Sequence, residues 1–341
     1  MTRVSIGDVA KLAGVSITTV SRVINNANHP VSEKIKKQVQ KAVKELNYIP
    51  DLSAQNMRQN FSNIIGLITR DISDPYFGTI ARAVTEQANN YGVASFVCNT
   101  GRDPFNELQY HDLLWQHKVR GIILAGGGLD SDDYRSKLIE QIERYSKHGN
   151  QIVALAPQGF DMPYVMVDNR SIGEMITDYL IKLGHRRIAF VSGPERVFTA
   201  VERLDGYKLS LIKNGLLFDD SLVAYSNFTW EGGYQSTQAL LQKNIPFSGL
   251  CCANDNIAFG ALRALKEWNI NVPEQVSVIS VGDLPMAGYM SPPLTTVHVP
   301  LYDMGVKAVD MVMGKEPLDE KSNVIFKTRL VERQSVATGI L

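Results

Sequence analysis

The sequence predicts an α/β protein with a small helical headpiece ahead of a two-lobed core of doubly wound parallel sheets. Three observations carry this. Residues 4–47 show apolar positions at helical spacing, interrupted by a glycine and a proline. From Ile64 onward, short and almost wholly apolar runs alternate with longer amphipathic ones about every 20–35 residues, the pattern of parallel strands covered on both faces. The run from Arg187 to Asp255 echoes that from Asn63 to Gly126, so the pattern restarts near residue 164.

The headpiece reads as three short helices. Ser5 is placed to cap the first, with Asp8 three residues on as a weaker relative of the capping box, and Ile6, Val9, Ala10 and Ala13 form its apolar stripe. Gly14 supplies the turn and Ser16 the next cap. Asn26–Val31 is a loop broken by Pro30, and Ser32 caps a third helix carrying Ile35, Val39, Val43 and Leu46. The second helix, within GVSITTVSRVIN, buries Val20, Val23 and Ile24. Its other face carries Ile17, Thr18, Ser21, Arg22 and Asn25, with no acidic group.

Charge points the same way. The chain of 341 residues has equal numbers of basic and acidic groups, yet residues 1–60 hold nine basic and four acidic side chains, so a head of +5 precedes a body of −5. A basic head suggests a polyanionic partner. A helix–glycine turn–helix sets its second helix into the DNA major groove. There Arg22 suits guanine O6 and N7 or a phosphate, Thr18, Ser21 and Asn25 suit base edges or phosphates, and Ile17 suits a thymine methyl. The alternative for Ile17 is packing back on the first helix.

Pro50 ends the third helix, and Leu52–Gln59 allows about two helical turns, too few to be stable alone. The core strands follow as NIIGLIT, VASFVCN, GIILAGG, QIVALA, YVMVD, RIAFVSG, SLVAYS, SGLCCAND and VSVISVGD. Ligands of such sheets sit at the C-terminal strand ends. Here those ends read TRDISDPYFG, CNTGRDPF, SGPERVF, CANDN and VGDLPM.

No catalytic signature of the GxSxG, HExxH, GxxxxGK[ST] or GxGxxG type is present, so the chain is not expected to be an enzyme. Ala125–Gly128 lacks the lysine of a phosphate loop. Cys98, Cys251 and Cys252 lie in apolar runs without metal-ligand spacing and read as core residues in a reducing compartment. No cofactor or metal is implied. With neither a signal-peptide pattern nor 18 consecutive apolar residues, a cytoplasmic, nucleoid-associated location away from membranes is expected.

IGDVAKLAGVSITTVSRVIN, VSEKIKKQVQKAVKELNYIP, GLITRDISDPYFG, LIKLGHRRIAFVSGP, ERLDGYK, CCANDNIAFGALRAL, VPEQVSVISVGD and PPLTTVHVP together resemble the lactose-repressor (LacI/GalR) family of bacterial transcription factors over essentially the whole chain. The resemblance implies an N-terminal helix-turn-helix headpiece (1–49), a hinge helix or linker (50–61), and a periplasmic-binding-protein-like core. The first lobe would comprise 62–163 plus 294–322, the second 164–293 plus 323–341. It implies a homodimer on a palindromic double-stranded operator. The ending ATGIL, without heptads, also favours a dimer over a tetramer.

Position by position, Ile17, Thr18 and Arg22 would read bases. Thr19, Ser21, Asn25 and His29 would hold phosphates, Ser16 would join this DNA-binding set, and Ala54 and Met57 would face the minor groove. Met57 stands where most relatives wedge a leucine, and Pro30 looks like an extra loop residue. Asp74, Tyr76, Phe77, Arg203, Phe228, Asn254 and Asp283 would surround a small-molecule effector, with aromatic faces on a sugar's C–H surface and Arg203 and Asp283 forking its hydroxyls. Plain core packing of Phe77 and Phe228, and an ion pair at Arg203, are the structural alternatives. Gly282 precedes Asp283 where relatives carry an aromatic residue, and Leu155–Gln158 stands where many place a ligand-facing aspartate. A purine, a sugar phosphate or a phosphoprotein are the other effectors that fit this class. A sugar receptor without DNA function is the reading outside it.

Overall fold

The structure, a computed structural model, describes residues 4–24, 30–49, 61–315 and 323–339. It divides into two compact units, residues 1–61 and 62–341.

In the first unit, α1 (Ile6–Ala13) begins with a full capping box: Ser5 Oγ accepts from Asp8 N at 3.3 Å, and the Asp8 carboxylate accepts from Ser5 N at 2.8 Å. Gly14, at φ +64°, ends α1 in the left-handed conformation that a side chain resists. Ser16 Oγ accepts from Thr19 N at 3.1 Å, starting α2 (Ile17–Ile24), and Ser32 caps α3 (Glu33–Glu45). Val9, Ala10, Val20, Val39 and Ala42 form the buried centre, with Val23 and Ile24 partly buried around it. So small a core leaves each cap a large share of the unit's stability. Ser5→Ala is expected to cost about 1 kcal/mol, read as faster amide exchange across residues 6–24 with the core unchanged. Unchanged exchange would mean that α1 does not depend on this cap.

In the second unit, β1 (Ile64–Thr69), β2 (Ala94–Asn99), β3 (Gly121–Leu124) and β4 (Gln151–Ala154) form a parallel sheet of order β2-β1-β3-β4. It is covered by α4 (Pro75–Asn90), α5 (Pro104–Gln116) and α6 (Asp132–Ser146). The second sheet has the order β12-β10-β9-β8-β6-β7. Its strands are β6 (Ile188–Ser192), β7 (Val223–Tyr225), β8 (Gly249–Cys252), β9 (Ser277–Gly282), β10 (Thr295–His298) and β12 (Arg329–Val331), with only β12 antiparallel. Its helices are α7 (Asn169–Lys182), α8 (Phe198–Lys213), α9 (Trp230–Gln242) and α10 (Asp255–Glu267). The short strands β5 (Val165–Val167) and β11 (Val324–Phe326) pair with each other in parallel.

Two lobe borders differ from expectation. Thr295–His298, expected in the first lobe, pairs in register with Ile279–Gly282 and so completes the second sheet. The chain returns only at α11 (Leu301–Val312), which packs on α4, β3 and β4. Conversely β5, expected in the second lobe, stays beside the first sheet through a parallel bridge between Tyr164 and Ala154, and takes β11 with it. Strand spacing reveals a repeat, but not which sheet edge a strand completes.

The three cysteines are free and buried, and burial pushes the thiols of Cys98 and Cys251 up to about 11 and about 12, which keeps them protonated and inert.

Candidate functional site

The exposed face of α2 is the first candidate. Val20 anchors the helix with no solvent exposure, while Ile17 is 54% exposed and Thr18 and Arg22 also face solvent. Packing of Ile17 back on α1 is therefore not what the structure shows. Thr19 and Ser21 are half-buried, and the Thr19 hydroxyl shares a 2.9 Å hydrogen bond with that of Ser16. Ser16 and Thr19 thus brace the N-terminus of α2, which already favours a phosphate through its backbone N–H groups.

The second candidate is a cavity of about 320 Å³ at the C-terminal strand ends, between the two large sheets. Helix starts build it. Asp74, at the end of the β1 loop, caps α4 by accepting from Tyr76 N at 3.0 Å, and its other oxygen accepts from Arg102 Nη2 at 3.2 Å. Tyr76 and Phe77 meet edge to face with centroids 5.2 Å apart. Across the cavity, Phe228 holds φ +66°, a conformation costly for a bulky residue. Asn254 fixes it there, donating to the Phe228 carbonyl at 3.1 Å while its own oxygen caps α10 through Ile257 N at 2.9 Å.

Arg203 on α8 is 3% exposed and reaches the cavity wall. Its Nε donates to Asn169 Oδ1 at 3.0 Å and its Nη1 to the Ala253 carbonyl at 2.5 Å. Burial lowers its pKa from the ordinary guanidinium value, which the neighbouring Tyr76, Asp255 and Glu202 partly offset.

The glycines after β3 serve close approach. A Cβ on Gly126 would enter the Arg70 side chain, and one on Gly128 would come within 2.8 Å of the Gln158 backbone. Arg70 is neutralised by buried Glu107 and donates to the Gly127 carbonyl at 2.6 Å. Gln158 braces the same loop through the Gly126 carbonyl at 2.8 Å. The loop also clasps the second lobe: Leu129 bridges Val197, and Asp130 N donates to the Arg196 carbonyl at 2.7 Å.

Comparison with known proteins assigns both units. Residues 5–51 match the model described as bacterial regulatory proteins, lacI family. Residues 62–333 match the periplasmic binding proteins and sugar binding domain of the LacI family. The chain belongs to the LacI family. It is 32% identical to the transcriptional regulator GalR of Escherichia coli K12 over 340 residues, covering 99% of this chain and 97% of that one. It is 31% identical to the ribose operon repressor of the same strain, covering 96% and 98%. The lac repressor dimer bound to operator and the anti-inducer ONPF superposes with a TM-score of 0.87 at 26% identity, covering 98% of this chain and all of that one. A CelR–cellobiose complex superposes with a TM-score of 0.71 at 29% identity and the same coverage. As a LacI-family protein the chain is a DNA-binding transcriptional regulator with a ligand-binding core, and not an enzyme.

Within this LacI-family frame, six of the seven expected effector residues line one cavity: Asp74, Tyr76, Phe77, Arg203, Phe228 and Asn254. Asp283 does not, which corrects the fork expected between it and Arg203. One Asp283 oxygen accepts from Arg333 Nη2 at 2.6 Å and the other pairs with His298 Nδ1 at 2.9 Å. Burial raises its pKa, but Arg333 and His298 outweigh this and leave it below the ordinary carboxylate value. The residue is a clamp just past the end of β9, held by His298 at the end of β10 and by Arg333 two residues beyond β12. Sequence reasoning did not single out Arg70, Arg102, Leu129, Val197, Thr199 or Asn227, which also line the cavity. Arg70, Arg102 and Val197 stood inside the strand-end runs already marked. Among the expected DNA contacts, Asn25, His29, Ala54 and Met57 lie outside the described residues, as does nearly all of the 50–61 hinge.

Proposed function

We propose that this LacI-family regulator represses carbohydrate-utilisation genes. It grips a palindromic operator as a dimer through α2 and binds a small sugar in the cavity between its lobes. The observation that carries this is the solvent face of α2, which offers an apolar side chain, hydroxyls and one guanidinium, with no carboxylate to repel phosphate. A relative named as the ribose operon repressor, and a solved relative in complex with cellobiose, support a sugar. The dimeric, operator-bound lac repressor supports the assembly. The open edge of β2, where Phe96 and Val97 are exposed, is a surface a second copy would cover.

Ligand between the lobes would set their angle, and that angle the spacing of the paired 50–60 segments on DNA. A coupling of about 1–3 kcal/mol would change operator affinity roughly 5–150-fold. The test is binding of the full chain to a duplex selected from random sequence. Affinity is expected to fall steeply with salt, by about 0.9 log unit per log unit of salt for each phosphate contact. Arg22→Ala is expected to cost about 1–3 kcal/mol per half-site and to relax preference at one base pair. A flat salt response, or an Arg22→Ala protein that binds like the wild type, would remove α2 as the reading helix.

A further inference from the structure

The first lobe carries a second cavity, apart from the one between the lobes. Helices α5 and α6 lead from β2 to β3 and from β3 to β4, and a groove of about 360 Å³ runs between them. Small-molecule sites span about 300–1,000 Å³, so this one suits a small ligand. Each helix lines it at helical spacing, with Phe105, Leu108 and Asp112 from α5 and Lys137, Glu140, Gln141 and Arg144 from α6. Arg144 Nη2 donates to Asp112 at 2.6 Å at one end, and its guanidinium lies over the Trp115 ring, 5.0 Å from the centroid. Phe105 and Leu108 make the other end apolar.

Two features distinguish this groove from a solvated seam between helices. The first is Gln141, which is only 9% exposed. Its Nε2 donates to the Leu108 carbonyl at 3.1 Å, but its buried Oε1 has no hydrogen-bond partner among the described residues. A buried acceptor left unfilled is costly. The second is the charge arrangement. Of the three cations on α6, Arg135 pairs with Asp132 and Arg144 with Asp112, whereas Lys137 has no carboxylate within 4 Å among the described residues. Glu140, one turn further along, has no cation within 4 Å among them either. The lining holds two cations and two anions, so it favours a ligand of no net charge that carries both signs.

We propose that this groove binds a free α-amino acid with an apolar side chain. The carboxylate pairs with Lys137, the ammonium group with Glu140 and the Gln141 amide oxygen, and the side chain lies on Phe105 and Leu108. Pro104, the first residue of α5, lines the cavity between the lobes, so one helix joins the two sites. The site stands independently of the sugar reading.

The test is calorimetric titration and thermal shift of the full-length protein with matched probes. These are L-leucine and L-phenylalanine, L-glutamine as the polar control, N-acetyl-L-leucine, which lacks the cation, and L-leucinamide, which lacks the anion. Leucine or phenylalanine is expected to bind, and the acetylated and amidated forms of leucine to bind about tenfold to a hundredfold more weakly than leucine, the value of one hydrogen-bonded charge. Lys137→Met and Glu140→Gln change exposed side chains and are each expected to weaken the amino acid by a similar factor. The comparison of probes is made on the wild-type protein and needs no variant. Binding of glutamine tighter than leucine and phenylalanine, equal binding of the blocked and free forms, or undiminished binding in both variants would overturn the site. So would the absence of any response to leucine and phenylalanine.

Discussion

Replacing Gly206 by alanine is expected to destabilise the core by about 2–3 kcal/mol, against the intrinsic preference of a helix for alanine over glycine of about 1 kcal/mol. Gly206 on α8 and Gly173 on α7 face each other where the two helices cross. A Cβ on Gly206 would run into the Arg170 carbonyl and lie 2.8 Å from Glu174 N and 2.9 Å from Gly173 Cα. A Cβ on Gly173 would run into the Arg203 carbonyl. These obstacles are backbone, which has no rotamer to turn away, so the helices must separate and geometry outweighs propensity. Separation also carries Arg203 off the cavity wall, so ligand binding should weaken with stability. Gly78→Ala on α4 is the control. Its nearest obstacle is a carbonyl 3.8 Å away, and a gain of up to about 1 kcal/mol is expected there. Urea midpoints of the two variants decide. A Gly206→Ala protein as stable as Gly78→Ala would mean that the crossing admits a methyl group without the helices separating.

Acid should destabilise the first lobe through one imidazole. His111 on α5 has no solvent exposure, and neither ring nitrogen has a hydrogen-bond partner among the described residues. Burial drives its pKa down to about 3; Asp112 pulls it up, while Arg144 and Arg70 push it further down. The folded value lies below the unfolded one near 6.5, so between the two the unfolded chain binds the extra proton. Stability contributed by keeping this ring neutral is therefore intact above about pH 6.5 and falls as pH drops, by about 1.4 kcal/mol per unit and about 2–3 kcal/mol by pH 4.5. His111→Leu should shed that slope and, by removing an unsatisfied buried polar ring, gain about 1 kcal/mol at neutral pH. The measurement is unfolding free energy against pH for both proteins. Parallel curves would show that His111 gains its proton without unfolding.

How far the residues alone disclose this follows from what each signal depends on. The caps at Ser5, Ser16 and Ser32 and the turn at Gly14 act within a few residues, so their text states them. The α2 face is legible for the same reason, since which side of a short helix is apolar fixes which side is free. Nine strands are legible as apolar runs. Thr295–His298 is not, because its membership is decided by the open edge of β9, set by residues far along the chain. Asp283 misled for a related reason. A carboxylate at a strand end looks available until the partners that fill its lone pairs are known, and Arg333 lies fifty residues away. Arg102 and Arg203 show the converse: only the fold reveals that one meets a carboxylate, Asp74, while the other is held by the Asn169 amide oxygen and the Ala253 carbonyl.

The chain passes between the two sheets three times, after β5, between β10 and α11, and between β11 and β12. Neither lobe is thus a continuous stretch of sequence. During synthesis, the first lobe must wait for α11 and β11, ending at Phe326, and the second for β12, ending at Val331, so neither closes until the chain is nearly finished. Until then both hold apolar surface open together, and a chain broken off before β11 would leave two cores incomplete rather than one.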